Sequence, residues 1–533
     1  MITSFRLFLF AFLMINIQES KAQFTITASS ASFKEPEEGH AKILLLKNKN
    51  TAFIHVNSDG GIDIRLFDAQ RKEICNKVVA TNYGKLKEGQ VMGCFQINGD
   101  VTILIQELVG WTYAMYRVVL DGNTGDKKEE STIIKLNDFS YAAYKDVRAG
   151  NAPRPFFLVS KDPYSDNYAV GVFNSSTSEK DQRIHIVHYG KDHKEISNVF
   201  VTTSAYQKFE FCNLVDLVVK GNQEVMVVLF PFNTFKTSSL YNRRGELVMM
   251  HIANGQLRQG YTLLPRPNER EVSSSQLQFS KDYGKLYLNF LSLASSNNNE
   301  RSYVSQILLI DPKTDSIKEI HLENGNLVSQ VHAKYPGAKG LNGTPVEMDV
   351  NDDGSLTILS ESSETYSAYG DVSAFIGNIV VRQYNTDGSI KGASVIFSNR
   401  TTNGMSPYFF YQNNYKQVAL PLRNGNQYKF YSYIATPKGN FLFMNDLEVN
   451  SEINSKGEVK KPFQSVRDAY SFYYKIDDPM PSRNWLYPKP EDKTHPVSLF
   501  ALSDYDPSSD IYCTTQLDYG GGGGNIKLVW LQP

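Results

Sequence analysis

Cysteine is scarce: Cys75, Cys94, Cys212 and Cys513 are the four in 533 residues. Two bridges at most cannot staple a chain of this size, so a disulfide framework is excluded as its source of stability. All four sit in or beside strand-like runs, where a free thiol packs as a small hydrophobe; a single bridge stays open. Nine histidines are present, with no H-x-H or H-E-x-x-H pattern. His185 and His188 are three apart in a strand-like run and point to opposite faces, so they cannot chelate one metal. No metal site and no cofactor is expected. Neither sign of charge dominates: 55 Lys and Arg against 56 Asp and Glu leave a formal net charge of −1. That argues against nucleic acid and anionic membranes as partners. Beyond residue 22 no apolar run reaches the ~18–20 residues a membrane span needs.

Residues 1–22 read as an export signal. Arg6 supplies the charge, Leu7 to Ile15 the apolar stretch, and Ser20-Lys21-Ala22 a small-x-small cleavage site before Gln23. No cysteine follows that site, so a lipid anchor there is not supported. The expected location is periplasmic or secreted after cleavage, without a membrane span.

What the chain does have is repetition. Two strand–turn–strand units alternate along it, and naming the strands of one unit A to D gives eight A–B turns. These lie at Asn48–Asn50, Asn98–Asp100, Asp162–Asp166, Gly221–Asn222, Asp282–Gly284, Asn351–Gly354, Asn413–Asn414 and Asp504–Ser509. Asn, Asp and Gly suit such turns because they tolerate positive φ and bond their own backbone. Seven C–D turns follow, at Asp68–Arg71, Asp121–Asp126, Gly190–His193, Asn242–Gly245, Asp311–Asp315, Asn385–Gly388 and Thr436–Gly439, about 61 residues apart on average.

The eighth repeat runs out of chain before its strand D. Phe24-Thr25-Ile26-Thr27 is available to supply it by pairing with Ile526–Leu531, which would protect both open edges. The reading is an all-β protein: an eight-bladed β-propeller of four-stranded antiparallel blades, closed by its N-terminal strand. Seven blades with an added hairpin is the alternative. Residues 23–533 form one domain, with a long loop insertion at about 446–496.

In such a ring the A–B and C–D turns share one face, and here all are tight. The B–C and D–A connections share the other, and several are long: Leu136–Pro155, Ala253–Ser275, Ser292–Ser302, Glu323–Thr344, Glu361–Phe375 and Asp446–Pro496. Long loops on a rigid scaffold are where binding and catalysis concentrate. These loops carry Arg, which matches carboxylates, and flat rings, which cover sugars or peptide side chains. The candidate ligand-binding residues are Arg148, Arg154, Arg266, Arg270, Tyr335 and Trp485. Each has a plainer reading, in which rings pack the loops and charges are solvated.

Other motifs yield little. Asp349-Val350-Asn351-Asp352-Asp353-Gly354 opens like a calcium loop, but position twelve is Ser360, so a hairpin turn explains it better. Gly520 to Gly524 lacks the Gly-Lys-Ser/Thr of a phosphate loop, and no G-x-S-x-G marks a serine hydrolase. Three tryptophans (Trp111, Trp485, Trp530) are too few for the repeats of quinone-dependent dehydrogenases. Glu107, Asp138, Glu269, Glu271 and Glu361 lie on or near the long-loop face, where a pair could flank a glycosidic bond. The signal ending Lys21-Ala22-Gln23, the repeats, and the ending Ile526 to Pro533 resemble exported β-propeller proteins of bacterial type. The resemblance is of repeat style and transfers no catalytic residue. The expected function is a non-catalytic exported scaffold that binds a protein or glycan through the long-loop face. The rivals are a polysaccharide hydrolase or lyase acting there, and a structural subunit of a cell-surface assembly.

Overall fold

The computed structural model describes residues 24–533 apart from 84–85, 87–88, 110–111, 138–144, 146, 148–153, 176, 178, 203–207, 210, 234–243, 267–271, 298–299, 369–370, 404–416, 423–430, 490–494 and 519–523. Eight antiparallel sheets of four strands form a ring, and each is read from the channel outward as A, B, C and D. Blade 1 shows the plan: His40–Leu45, Thr51–Val56, Ile62–Phe67 and Glu73–Val79. Blades stack face to face, so a middle strand is covered on both sides and needs a continuous apolar run rather than an alternation. Strand B of blade 1 and of blade 3 (Tyr168–Phe173) is accordingly buried at every position. The outermost strand of blade 1 instead alternates between half-buried and exposed positions. The core is a set of clusters between blades: Ile54 and Ile64 of blade 1 meet Val101, Ile103 and Val118 of blade 2.

Ring closure is as read from the sequence. Blade 8 takes strands Val497–Asp506, Ile511–Asp518 and Asn525–Gln532 from the C-terminus and Thr25–Ser29 from the N-terminus, with Ile26 opposite Leu531 and Ala28 opposite Trp530. Phe33–Lys34 adds a second short pairing to the same strand. The export signal falls outside the described residues.

Two of the turns are placed differently. Thr436–Gly439 joins Ser432–Thr436 to Gly439–Asp446 and is the A–B turn of blade 7, not a C–D turn. Asn413–Asn414, read as that A–B turn, lies outside the described residues. In blade 4 the C–D turn is Asn254–Gly255, both at positive φ (52° and 75°), while Gly245 belongs to the B–C connection. One turn chemistry serves both kinds of turn, so spacing alone had to tell them apart, and it fails where loops are long.

The segment 446–496, read as one loop, carries strands C (Tyr470–Lys475) and D (Arg483–Trp485) of blade 7. Likewise Ser292–Ser302 and Glu361–Phe375 are not irregular loops. Strands B and C of blade 5 run on as Leu286–Asn297 and Glu300–Ile310, and those of blade 6 as Leu356–Ala368 and Asp371–Tyr384. The result is two hairpin arms on the long-loop face, stabilised by runs of Ser, Thr, Tyr and Val that suit extended pairing. A short α-helix, Leu327–Lys334, lies in the connection from blade 5 to blade 6.

Candidate ligand-binding face

A segment of the protein's own chain lies against the inner strands. Residues 417–422, from the connection between blades 6 and 7, run along the inner strands of blades 1 to 3. Cys94 of blade 2 donates its N–H to the Gln417 carbonyl at 2.7 Å, and Lys161 of blade 3 donates its N–H to Gln417 Oε1 at 2.9 Å. Gln417 Nε2 returns a bond to the Lys161 carbonyl at 3.1 Å, so one amide side chain imitates a strand neighbour. Leu420 pairs with Ala41 of blade 1, and Leu422 N–H donates to the Gly39 carbonyl at 3.0 Å. The arm of blade 6 folds over this segment: its inward residues Ala374 and Ile376 are buried with Leu420, Leu422, Ile43 and Leu499. The outward neighbour Phe375 is 45% exposed.

Among the described residues nine large apolar side chains are exposed, and two of them, Phe375 on the arm of blade 6 and Val449 in the B–C connection of blade 7, sit on the long-loop face. The other seven lie on or beside outermost strands: Ile26, Ile74, Val78, Ile196 and Phe200, and Leu263 with its neighbour Tyr261, where Thr262–Leu264 pairs with the outer edge of strand C of blade 4. None is on the tight turns opposite.

Of the six predicted residues, Arg148 and Arg270 lie outside the described residues. The other four all have partners within the protein. Arg154 donates from Nε to the Tyr113 hydroxyl at 2.7 Å and sits 5.8 Å from that ring. Arg266 donates from Nη2 to the Gly245 carbonyl, with its guanidinium 4.9 Å from the Phe230 ring. Tyr335 ends the helix and packs edge-on against Phe397 at 5.2 Å. Trp485 is half-buried in strand D of blade 7. These residues come from three different connections and a strand, and no described contact joins any two of them.

Trp485 belongs to a built aromatic crease lined by Tyr470, Tyr487, Pro488, His495 and Pro496. Its ring meets Tyr470 edge-on at 5.2 Å and Phe472 at 4.8 Å, and His495 stacks on Tyr470 at 4.2 Å. Lys489 reaches over the Trp485 ring at 5.8 Å and pairs with Glu448 at 2.5 Å. Beneath it Arg483 lies 3.8 Å from the Phe472 ring, bonds the Leu447 and Glu448 carbonyls at 3.0 and 2.9 Å, and approaches Asp446 at 3.3 Å. Burial pushes the Asp446 carboxyl up, and the Asn450 amide and Arg483 only partly offset that. These rings fill the crease with one another, and Trp485 stays half-buried beside Lys489.

The carboxylates considered for glycosidic chemistry are differently placed. Glu361 is 1% exposed and held by Arg400, itself 1% exposed. Glu107 is buried on strand B of blade 2. Asp138, Glu269 and Glu271 lie outside the described residues. Asp349–Gly354 closes on itself as a hairpin: Asn351 N–H bonds the Ser355 carbonyl at 2.9 Å, and Asp353 accepts from Ser355 N–H at 2.9 Å. All four cysteines are free and three are buried. The segment 417–422 on the inner strands and the arms escaped sequence reasoning; the one available signal was the alternation Ser373-Ala374-Phe375-Ile376, which marks a strand with a buried face.

Neither a protein-family profile nor a curated protein sequence matches the chain. Solved structures similar to it include the polysaccharide lyase Uly1, with 8% identity over 95% of this chain and 99% of that one and a TM-score of 0.42. A prolyl endopeptidase is similar at 10% identity over 81% of this chain, with a TM-score of 0.31; the chain spans 56% of that protein's length. The N-terminal domain of Nup159 is similar at 10% identity over 96% of each chain, with a TM-score of 0.30. At these values the likenesses carry no functional argument.

Proposed function

We propose that this protein is an exported, non-catalytic binding scaffold that engages a protein or glycan ligand through the long-loop face. The observation that carries the reading is the placement of exposed apolar side chains. Outside the outermost strands they are Phe375 and Val449, on the arm of blade 6 and the B–C connection of blade 7, where water contact with these side chains is unfavourable until a partner covers them. The Trp485 crease offers an anchor of the kind that dominates interfaces, a large ring beside a cation. A glycoside-hydrolase reading needs two available carboxylates, and Glu361 is committed to Arg400. Export rests on the Arg6, Leu7–Ile15 and Ser20-Lys21-Ala22 pattern, and an N-terminus at Gln23 in the secreted protein is its direct check.

The test is a screen of immobilised glycans and surface proteins against the purified chain, followed by Phe375→Ser and Trp485→Ala. Binding should weaken with either change while the melting temperature of Phe375→Ser stays near wild type. A ligand whose affinity ignores both changes refutes the face. Polysaccharide cleavage lost on Glu361→Gln would replace the reading with the enzymatic one.

A further inference from the structure

The opposite face carries an unrelated feature at the seam where the ring closes. Between the tight turns of blades 8 and 1 lies a cavity of about 200 Å³, bounded by Leu45, Leu46 and Ala69 on its apolar side and by Lys49, Arg71 and Asp506 on its charged side. Arg71 ends the C–D turn of blade 1 with a left-handed backbone, φ 66°. That conformation turns its side chain back over the buried Trp530 ring, 5.5 Å from the guanidinium.

The charges there do not cancel. Lys49 is matched by Asp506 at 3.2 Å, and Asp506 is further held by Ser508 and Ser509. Arg71 has no carboxylate at ion-pair distance among the described residues. Its Nη1 donates to two neutral oxygens, the Lys49 carbonyl and Thr51 Oγ1, both at the long distance of 3.3 Å. Its Nε and Nη2 donate to no described atom. The half-buried guanidinium is desolvated enough that its pKa is lowered, and an Arg cannot escape by giving up its proton. A fixed, partly dehydrated fork with free donors is the geometry that takes an oxyanion bidentately. Lys49 and Arg71 against Asp506 leave one net positive charge on the lining, which suits a monoanion and disfavours a doubly charged phosphate. Leu45, Leu46 and Ala69 suit an apolar tail.

We propose that this seam cavity binds a small monocarboxylate with a short apolar body, its carboxylate on the Arg71 fork and its tail against Leu45, Leu46 and Ala69. The site is independent of the long-loop face. Because its walls come from both blade 8 and blade 1, the bound molecule clamps the closure of the ring.

The experiment is calorimetric titration of the full chain with pentanoate and with pentanamide, the neutral molecule of the same shape, together with thermal melts. Pentanoate should bind one-to-one and raise the melting temperature, and pentanamide should do neither. Arg71→Asn keeps a residue that tolerates the left-handed turn and should weaken pentanoate about tenfold or more. Arg71→Lys, which keeps the charge but loses the fork, should fall between. Ala69→Phe, at an exposed turn position, fills the cavity without touching the charge and should abolish binding; it also serves if Arg71→Asn does not fold. Trp485→Ala should leave pentanoate binding unchanged. Equal binding of the amide, undiminished binding in Arg71→Asn and Ala69→Phe, or no one-to-one binding of pentanoate at millimolar concentration overturns the proposal.

Discussion

Replacing Phe24 by Ala should lower the melting temperature by about 4 °C. The residue precedes the strand that completes blade 8, yet its ring sits in blade 7, edge-on to Phe441, Phe443 and Tyr473 with centroids 4.9, 4.9 and 5.0 Å away. At 4% exposure it is as buried as a central core residue, although only the first residue of the described chain. Truncating such a Phe removes ~3–5 kcal/mol, part of it the edge-to-face contacts that water cannot replace. Unfolding entropy of roughly 2.1 cal/mol/K per residue gives about 1 kcal/mol/K for a ring of ~500 residues, so a loss of ~4 kcal/mol becomes ~4 °C. The control is Ile26→Ala, in the same strand but 42% exposed, which should cost within ~0.5 kcal/mol and shift the midpoint by less than ~1 °C. Differential scanning calorimetry at one fixed scan rate reads both, since a chain of this size can unfold irreversibly. Equal shifts for the two variants, or a Phe24→Ala midpoint within 1 °C of wild type, would refute the claim that the N-terminal segment locks the ring through blade 7.

Three further outcomes follow from the same structure. Removing one partner of the buried Glu361–Arg400 pair, as Glu361→Ala or Arg400→Ala, should destabilise by about 3–5 kcal/mol in urea melts; Glu361→Leu with Arg400→Met together should cost less than either single change, and the reverse order would contradict the pairing. Asp216, on strand A of blade 4 with Ser275 Oγ at 3.0 Å, has its pKa raised by burial to about 7. The folded state therefore holds a proton that the unfolded state releases near pH 4, and stability should fall as pH rises from about 4 to 7, by at most ~4 kcal/mol and by less for a half-buried group; Asp216→Asn should flatten that slope, and an unchanged slope would show that another group carries it. Calcium or EDTA should leave the melting temperature unchanged, because the Asp349–Gly354 turn is held as a hairpin by its own backbone and Asp353 hydrogen bonds; a calcium-dependent rise lost in Asp353→Ala would reinstate the ion site.

The parts of the fold that were legible in the sequence are those decided by neighbours in the chain. Asn98-Gly99 adopts φ of 52° and 85° and turns a hairpin wherever it stands, so turn positions could be read without knowing what they face. Closure was legible for a related reason: a repeat lacking strand D and a spare strand at the other terminus leave two edges that satisfy each other. The errors fall where long connections break the spacing, at Thr436–Gly439 and Gly245, and where a connection turned out to be strand, as in the arms of blades 5 and 6.

The candidate site was less legible because its logic is non-local. Gln417 docks on the inner strand of blade 3 by bonding a residue 256 positions away, Lys161, and nothing near Gln417 in the chain announces that partner. Arg154, Arg266 and Trp485 have the chemistry of ligand contacts, yet Tyr113, Gly245 and Tyr470 use them first. A polar or aromatic residue on a loop thus has two destinations, the loop's own packing or a ligand, and composition does not separate them. Exposure does. Phe375 lies between two buried neighbours on the arm of blade 6 and is itself 45% exposed. On the proposed reading that position, rather than that of any predicted arginine, makes the arm of blade 6 the surface on which a partner is to be sought.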